Sequence, residues 1–457
     1  MVAAMAVLAL VLACVVMAIV AVPSRILAKI AAPITALQLN SVLGSISLGG
    51  ALSLFLLPVT LIRSRKSDFR GVVGLLVALL LWNVISLLRD NNGEAQYAVL
   101  DLCRLLAIVL LAVQVSRADP SILRSMMRLL APLVLAQSVA IAVFRLFPAV
   151  EESYFLSSIA PVLSGAKVAE LFTTATNNVV EPDKAGGIFL NGNTASAIAG
   201  LCACLFAACA VRFRSRVFGF VAVVAWASVF FCGSKTGIAL GVLIPAVAAM
   251  LFVVLPAKRR VVSRAAALVV GLPAGLFGVS LLLDNSPDYV ADTGDSIAIR
   301  SRIWTIAGDL IREHPLTGAG FGGFTEATTL RATELLVPPG YPAHNFLLTE
   351  WMNTGIVGAM LVVAIFVYLA VQSITTIVRG DRAASLAAAL TFGGALWLFI
   401  HGMGDNTAFF GMQNSMVLFG ILVALSASLR SEQGRDAAPA PAHALLPEVV
   451  DREALLA

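Results

Sequence analysis

Charge is scarce in this sequence. Only 12% of its 457 residues are Asp, Glu, Lys or Arg, and 59% are hydrophobic, whereas soluble domains carry about 25% charged residues. That balance excludes an ordinary soluble globule and points to a polytopic membrane protein. Cysteine is scarce as well. Cys14, Cys103, Cys202, Cys204, Cys209 and Cys232 all fall inside apolar runs, where a thiol behaves as a small hydrophobe, so no disulfide framework is expected. Cys202 and Cys204 stand two apart, diverge on a helix, and make no metal site. The glycine-rich stretch Pro315 to Gly323 is followed by no GKS/T and preceded by no strand, so it is neither a nucleotide-phosphate loop nor a dinucleotide fingerprint. A net charge of +5 suggests nucleic acid only until the charges are placed. They sit in short loops between apolar runs, where they orient a membrane protein, and no nucleic-acid partner is expected.

What the chain does have is apolar length. A helix crossing the hydrocarbon needs about 20 predominantly apolar residues, and about twelve runs approach this. They lie near 3–22, 41–62, 71–88, 98–115, 129–147, 194–211, 217–232, 237–255, 265–283, 354–374, 385–402 and 412–429. The first has no basic n-region and too long an apolar run for a signal peptide. No repeat of fixed period stands out. The expected fold is all-α, one transmembrane domain over 1–430, followed by an Ala- and Pro-rich disordered cytoplasmic tail over 431–457.

The basic residues set the orientation. Arg63, Arg65, Lys66 and Arg70 form one cluster, Arg117, Arg124 and Arg128 a second, and Arg212, Arg214 and Arg216 a third. Lys258, Arg259, Arg260 and Arg264 make a fourth, and Arg379 with Arg382 a fifth. They occupy every second loop, so one topology puts all five in the cytoplasm, with both termini. Arg25 and Lys29 disagree, falling outside in that scheme. Two long segments then face outward, 148–193 and 284–353. Within the spans, Asp101 and Arg104 stand three apart and are expected to pair.

The long segment from Asp295 to Gly358 holds most of the polar chemistry, and a loop this long needs a reason to exist. Ile303, Trp304, Ala307, Leu310 and Ile311 recur at helical spacing, giving a short amphipathic helix along the membrane surface with Trp304 at the interface. Arg300 stands one turn before Trp304. The bland reading of Arg300 and Arg302 is that they hold lipid headgroups or pair with acids such as Asp295 and Asp309. Asp284, Asp288, Asp292 and Asp295 lack calcium-loop spacing and read as a solvated acidic loop. The Pro-Leu-Thr-Gly-Ala-Gly stretch turns the backbone sharply, and freed N–H groups there would also suit an anion. His344, beside Asn345 at the mouth of an apolar run, is placed to take a proton from a hydroxyl; the rival reading is an interface anchor. His401, near Asp405, is a structural or supporting residue, and His314 at a helix end is expected to cap. Lys235 sits in a tight link at the outer boundary, where a cation is costly unless it snorkels or meets an anion. Asn193 or Thr194 is the expected N-cap of the next span.

Four segments, FLNGNTASA, GSKTGIAL, RSRIWTIAGDLIREHPLTGAGFGGF and HNFLLTEWMNTGIVG, resemble in order and spacing the O-antigen ligase and polysaccharide polymerase family of bacterial envelope proteins. The last two are the specific ones, and the likeness covers roughly 185–375. The resemblance implies a GT-C-like, metal-independent glycosyltransferase of the inner membrane, without cofactor, acting at the periplasmic face. Such a protein moves a glycan from undecaprenyl diphosphate to a sugar hydroxyl with inversion, either onto lipid A-core or onto another glycan in lipopolysaccharide or exopolysaccharide synthesis. Its partners are then that donor, a glycan or lipid A-core acceptor, and membrane lipids. Carried over by position, Arg300 and Lys235 bind the diphosphate with Arg302 beside them, and His344 assists the acceptor. Asn193, Trp304, Asn345 and His401 are supporting candidates. The family commonly has arginine where this chain has Lys235, a point charge in place of a bidentate fork.

Two rival classes share the span count. A secondary transporter or flippase for a lipid-linked sugar would concentrate ionisable residues and broken helices near the midplane, whereas here they gather at the outer surface. A non-catalytic scaffold would leave Arg300 and His344 freely replaceable.

Overall fold

The structure, a computed structural model, describes residues 22–36, 48–90, 93–165, 168, 171, 183–255, 287–337, 339–405 and 413–436. They are helical and include no strand. In chain order the helices are α1 (Ser24–Ala36), α2 (Leu48–Arg63), α3 (Val72–Asp90), α4 (Gly93–Ala118), α5 (Pro120–Leu146), α6 (Pro148–Phe155), α7 (Ala160–Ser164) and α8 (Gly192–Phe213). There follow α9 (Arg216–Phe231), α10 (Lys235–Val254), α11 (Pro287–Glu313), α12 (Gly323–Leu330), α13 (Ala332–Leu335), α14 (Phe346–Arg379), α15 (Arg382–Gly404) and α16 (Gln413–Asp436).

Among the described residues seven helices are long and apolar enough to cross a bilayer, namely α3, α4, α5, α8, α10, α14 and α15. Apolar stretches of α2, α9 and α16 are shorter; the 16 residues of α9 span about 24 Å against a hydrocarbon core of about 30 Å. The chain is thus an all-helical, multi-pass membrane protein. Each expected span that falls on described residues coincides with a helix. The run 265–283, and 3–22 but for its last residue, lie outside them. At the other end α16 carries on to Asp436, so the first residues of the expected tail are helical; 437–457 lie outside the described residues.

Local sequence starts these helices. Asp119 accepts from the Ser121 N–H with Pro120 at the first position of α5, Ser215 caps α9, and Asp381 accepts from the Ala384 N–H to open α15. Each satisfies an amide that the helix itself leaves unpaired. Between α8 and α15 the backbones come close over small residues, as in other membrane bundles. A Cβ on Gly394 would lie 3.3 Å from that of Cys204, so this cysteine serves as the small hydrophobe its setting suggested. Trp397 fills the space over Gly200 and donates its indole N–H to the Ala197 carbonyl at 3.1 Å. In α4, Arg104 and Asp101 pair at 2.7 Å as expected.

The basic residues that disagreed with the topology are resolved by packing. Arg63 donates to the Ser24 hydroxyl and to the Val22 carbonyl, both at 2.8 Å, and Arg25 and Lys29 lie within charge range of Asp119. The start of α1 therefore sits with the Arg63 cluster, not across the membrane from it. The reason is that α1 and α2 return to the same end, which a count of apolar runs cannot reveal.

α14 is broken at Gly355, where φ is 81° and ψ −176°, a conformation essentially confined to glycine. The Pro315–Gly320 turn is seated in the break. The Ala319 N–H donates to the Met352 carbonyl at 2.7 Å and the Ile356 N–H to the Pro315 carbonyl at 3.2 Å. From α3, Trp82 donates to the Thr354 carbonyl at 2.7 Å and Arg89 to the Thr317 carbonyl at 2.8 Å. A Cβ on Gly355 would lie 1.9 Å from the Leu316 carbonyl oxygen. Gly355→Ala is expected to lower the thermal transition of the detergent-purified protein by several degrees, consistent with a strain on the order of 1–3 kcal/mol. Fluorescence-detected size exclusion after heating measures this, with the exposed Val357→Ala leaving the transition in place.

Candidate functional site

The outer layer rests on α11, which is longer than the short helix expected and runs back through Asp288, Asp292 and Asp295 to Pro287. These aspartates thus stand on a helix, correcting the acidic loop read from the sequence; Asp284 lies outside the described residues. Ile303, Ile306 and Ala307 of α11 are buried with Phe324 of α12, Val337, Ala343 and Met352 of α14. The apolar face expected to lie on lipid is therefore turned onto protein. Trp304 stays half-exposed, and its indole N–H donates to the Ala343 carbonyl at 2.9 Å. One helix thereby carries Arg300 and also holds the residue before His344.

His344 stands at a positive φ of 50°, an uncommon conformation for a residue with a side chain. Asn345 next to it is buried and caps α14, accepting from the Leu347 and Leu348 N–H groups at 3.1 Å each. Cap and twist together turn the imidazole out of the helix start, beside the Tyr341 ring at 4.9 Å. Its Nδ1 lies 3.2 Å from Asp405 Oδ1 at the end of α15. Its Nε2 is buried and has no hydrogen-bond partner among the described residues. A carboxylate on Nδ1 favours the tautomer with its proton there, leaving a bare lone pair on Nε2.

His401 stands one turn before Asp405. It is fully buried, stacked on Trp397 with 6.3 Å between ring centroids, and its Nε2 meets the Ser196 hydroxyl at 2.9 Å. Ser196 in turn donates to the Asn193 carbonyl at 2.9 Å. An imidazole so enclosed supports its neighbours and does not reach a substrate. Arg300, half-buried, and Asp405 both lie within charge range of the His401 ring. The starts of α8, α10 and α14 and the end of α15 thus meet at one end of the bundle, with the Arg300 stretch of α11 over them.

Lys235 opens α10, whose N-cap Ser234 accepts from the Gly237 N–H at 3.2 Å. The next residue, Thr236, lies against Gly404 beside Asp405, and Gly237 against Ser196. Two expectations change. Asn191, not Asn193 or Thr194, caps α8, accepting from the Asn193 N–H at 2.7 Å, because the helix begins two residues earlier than the apolar run. Arg302 is exposed and points about 200° around α11 from Arg300, so the two arginines do not share a face. Pairing with Asp309 does not explain them either. Arg331 at 2.8 Å and Arg312 at 3.1 Å take that carboxylate, and the Arg331 hydrogen bond first, then these charges, hold it below the usual carboxylate range. The glycine-rich turn gives its Ala319 and Gly318 N–H groups to the Met352 and His314 carbonyls, which engages the donors an anion would need; His314 ends its helix through that carbonyl, with its side chain exposed. Among the described residues no three His, Cys, Asp or Glu side chains are grouped to hold a metal ion.

Residues 185–363 match a family model described as O-antigen ligase. No curated protein matches the chain. The matched segment carries Ser196, Lys235, Arg300, Trp304 and His344, and ends before His401 and Asp405. Asp405 is the member of the cluster that sequence reading noted only as a neighbour of His401. Its signal was there, an ionisable side chain at the end of an apolar span; its partner, 61 positions away, was not.

Replacing Trp304 by Phe keeps the ring and removes the donor to Ala343. The expected result is normal insertion with a loss of about two- to tenfold in kcat/KM for glycan transfer, as for one neutral hydrogen bond of ~0.5–1.5 kcal/mol. Steady-state assay of the reconstituted protein checks it; an unchanged value would detach Trp304 from the placement of His344.

Proposed function

We propose that this protein is a metal-independent, inverting glycosyltransferase that moves a glycan from undecaprenyl diphosphate to a sugar hydroxyl at the periplasmic face of the inner membrane. The acceptor is lipid A-core in the ligase form of the reaction or a second glycan in the polymerase form. The observation that carries the reading is the meeting of Arg300, the Asp405–His344 pair and the start of α10 at one end of the bundle.

In this reading the acceptor O–H attacks the anomeric carbon from the face opposite the diphosphate. The bond from that carbon to the diphosphate oxygen breaks, its electron pair leaves with the diphosphate, and the hydroxyl proton passes to His344 Nε2. Asp405 holds Nδ1 and stabilises the imidazolium as it forms. Negative charge grows on the leaving group, and the fixed cations Arg300 and Lys235 offset it in a site shielded from water. The exposed Arg302 serves at the entrance, towards lipid or donor phosphate. The polyprenyl chain needs no site of its own, since lipid solvates it. The expected topology completes the picture, with about twelve spans, the basic loops and the end of α16 in the cytoplasm, and α11 to α13 outside.

Arg300→Ala is expected to lower transfer by about a hundredfold or more, ~3 kcal/mol, while the protein still inserts; wild-type activity would remove Arg300 from the site. Lys235→Arg should keep transfer and Lys235→Ala lose it, assayed in proteoliposomes with a polyprenyl-diphosphate glycan and products weighed by mass spectrometry. Equal rates for all three would end the phosphate role of Lys235. EDTA should leave the rate unchanged, and dependence on an added divalent ion would count against charge neutralisation by side chains alone.

A further inference from the structure

Beside the chain at His344 lies a hollow of about 370 Å³, within the range of small-ligand sites, about 300–1,000 Å³. The start of α4 supplies Glu94 and Asp101, α12 supplies Phe324 and Thr325, and the start of α14 supplies Glu350 and Asn353. Its wall includes Ala343 and Phe346, which flank His344. Three carboxylates line it, of which Asp101 is paired with Arg104, and no lysine or arginine does, the reverse of the neighbourhood of Arg300 and Lys235.

Glu350 is the telling member. It is only 3% exposed, and the hydrogen bonds to its side chain, from Asn83 at 3.2 Å and Thr354 at 2.8 Å, both go to Oε1. Oε2 accepts none from the described residues, although the residue lines the hollow. Oε2 is not among the enclosed polar atoms that lack a partner, so it opens onto the hollow, where a ligand or water supplies its donor. Stapling α3 to α14 through Asn83 and Thr354 accounts for Oε1 and leaves Oε2 unexplained.

We propose that this hollow is the acceptor subsite, and that it selects sugars rich in hydroxyl groups that are neutral or amino-substituted. The proposal rests on the transfer reading above and adds to it the side from which the acceptor comes. Carboxylates accept hydrogen bonds from sugar hydroxyls and attract an ammonium group, while Phe324 and Phe346 offer faces to the apolar side of a ring. The charge on Glu94 repels a diphosphate or a uronate. Acid on one side and cations on the other thus sort the two substrates, with His344 between them. An acceptor seated against Ala343 and Phe346 brings a hydroxyl towards His344.

The test uses the full-length protein in proteoliposomes, a polyprenyl-diphosphate glycan as donor, and neutral, amino-sugar and uronate oligosaccharides as acceptors. Wild-type protein should favour the neutral and amino acceptors over the uronate. Glu350→Gln, which keeps a carbonyl for Asn83 and Thr354, should raise the acceptor KM about tenfold or more, as for one hydrogen bond to a charged group. Ala98→Phe, which fills the hollow, should do the same, and Glu94→Gln should narrow the discrimination against uronate. The donor KM should not move in any of them. Wild-type transfer with unchanged acceptor KM in Glu350→Gln and Glu94→Gln overturns the subsite alone, and if Ala98→Phe fails to fold these two decide the matter. Wild-type protein that transfers nothing from this donor to any acceptor overturns the transfer reading and the subsite with it.

Discussion

Backbone amides and carbonyls inside a bilayer have no water to turn to, so every break in a spanning helix must be closed by protein. At Gly355 this chain breaks α14 and closes the gap with the Pro315–Gly320 turn, whose Ala319 N–H and Pro315 carbonyl bond to Met352 and Ile356. Trp82 and Arg89 of α3 complete the joint. The positions of both candidate groups follow from it. α11 leads into that turn and α14 starts at Phe346, ten residues before Ile356, so Arg300 and His344 are referred to one fixed point. The P-L-T-G-A-G and G-I-V-G motifs are two halves of this joint, and their glycines are there because a Cβ on Gly318 or Gly355 would strike the opposite backbone.

Around that joint the chemistry is assembled from helix ends. α8 contributes Ser196, α15 contributes His401 and Asp405, α14 contributes His344 just ahead of its cap, and α10 contributes Lys235. Helix ends suit this work because their first amides are unpaired and their side chains can reach past the hydrocarbon while the helix body stays rigid in it. The packing behind them is tight. Trp397 sits on Gly200 and under His401, so the imidazole that touches Ser196 is fixed by the α8–α15 interface. An outer layer with its own small core, centred on Ile303, Phe324 and Met352, then sets Arg300 above the bundle.

How far this was legible differs by residue. Arg300, Trp304 and His344 were singled out from short motifs, and the structure brings them to one end of the bundle. Lys235 was named from its position at a tight link, and that link abuts Gly404 beside Asp405. Arg302 was named with Arg300 on sequence adjacency alone, and helical geometry turns it away. Asn193 was named as a cap because the apolar run begins there, but the cap is set by where the backbone leaves its extended conformation, at Asn191. The placement of Arg25 failed for a related reason. Counting long runs passes over α1, which lies between two of them, and α1 with α2 returns to the end at which it started.

Composition and hydrophobic runs were enough to determine an all-helical, multi-pass protein and the approximate spans, because in lipid a backbone must satisfy itself locally and a helix is the local solution. Short motifs were enough to mark the residues worth watching. What only the tertiary structure decided is which of them meet: Asp405 with His344, Ser196 with His401, the glycine turn with the broken helix, and Glu350 with an acidic hollow. Those contacts join residues from 33 positions apart, Ala319 with Met352, to 267, Asn83 with Glu350. They are set by which helices pack together, and pairwise packing depends on shape at close range, which no periodicity along the chain records.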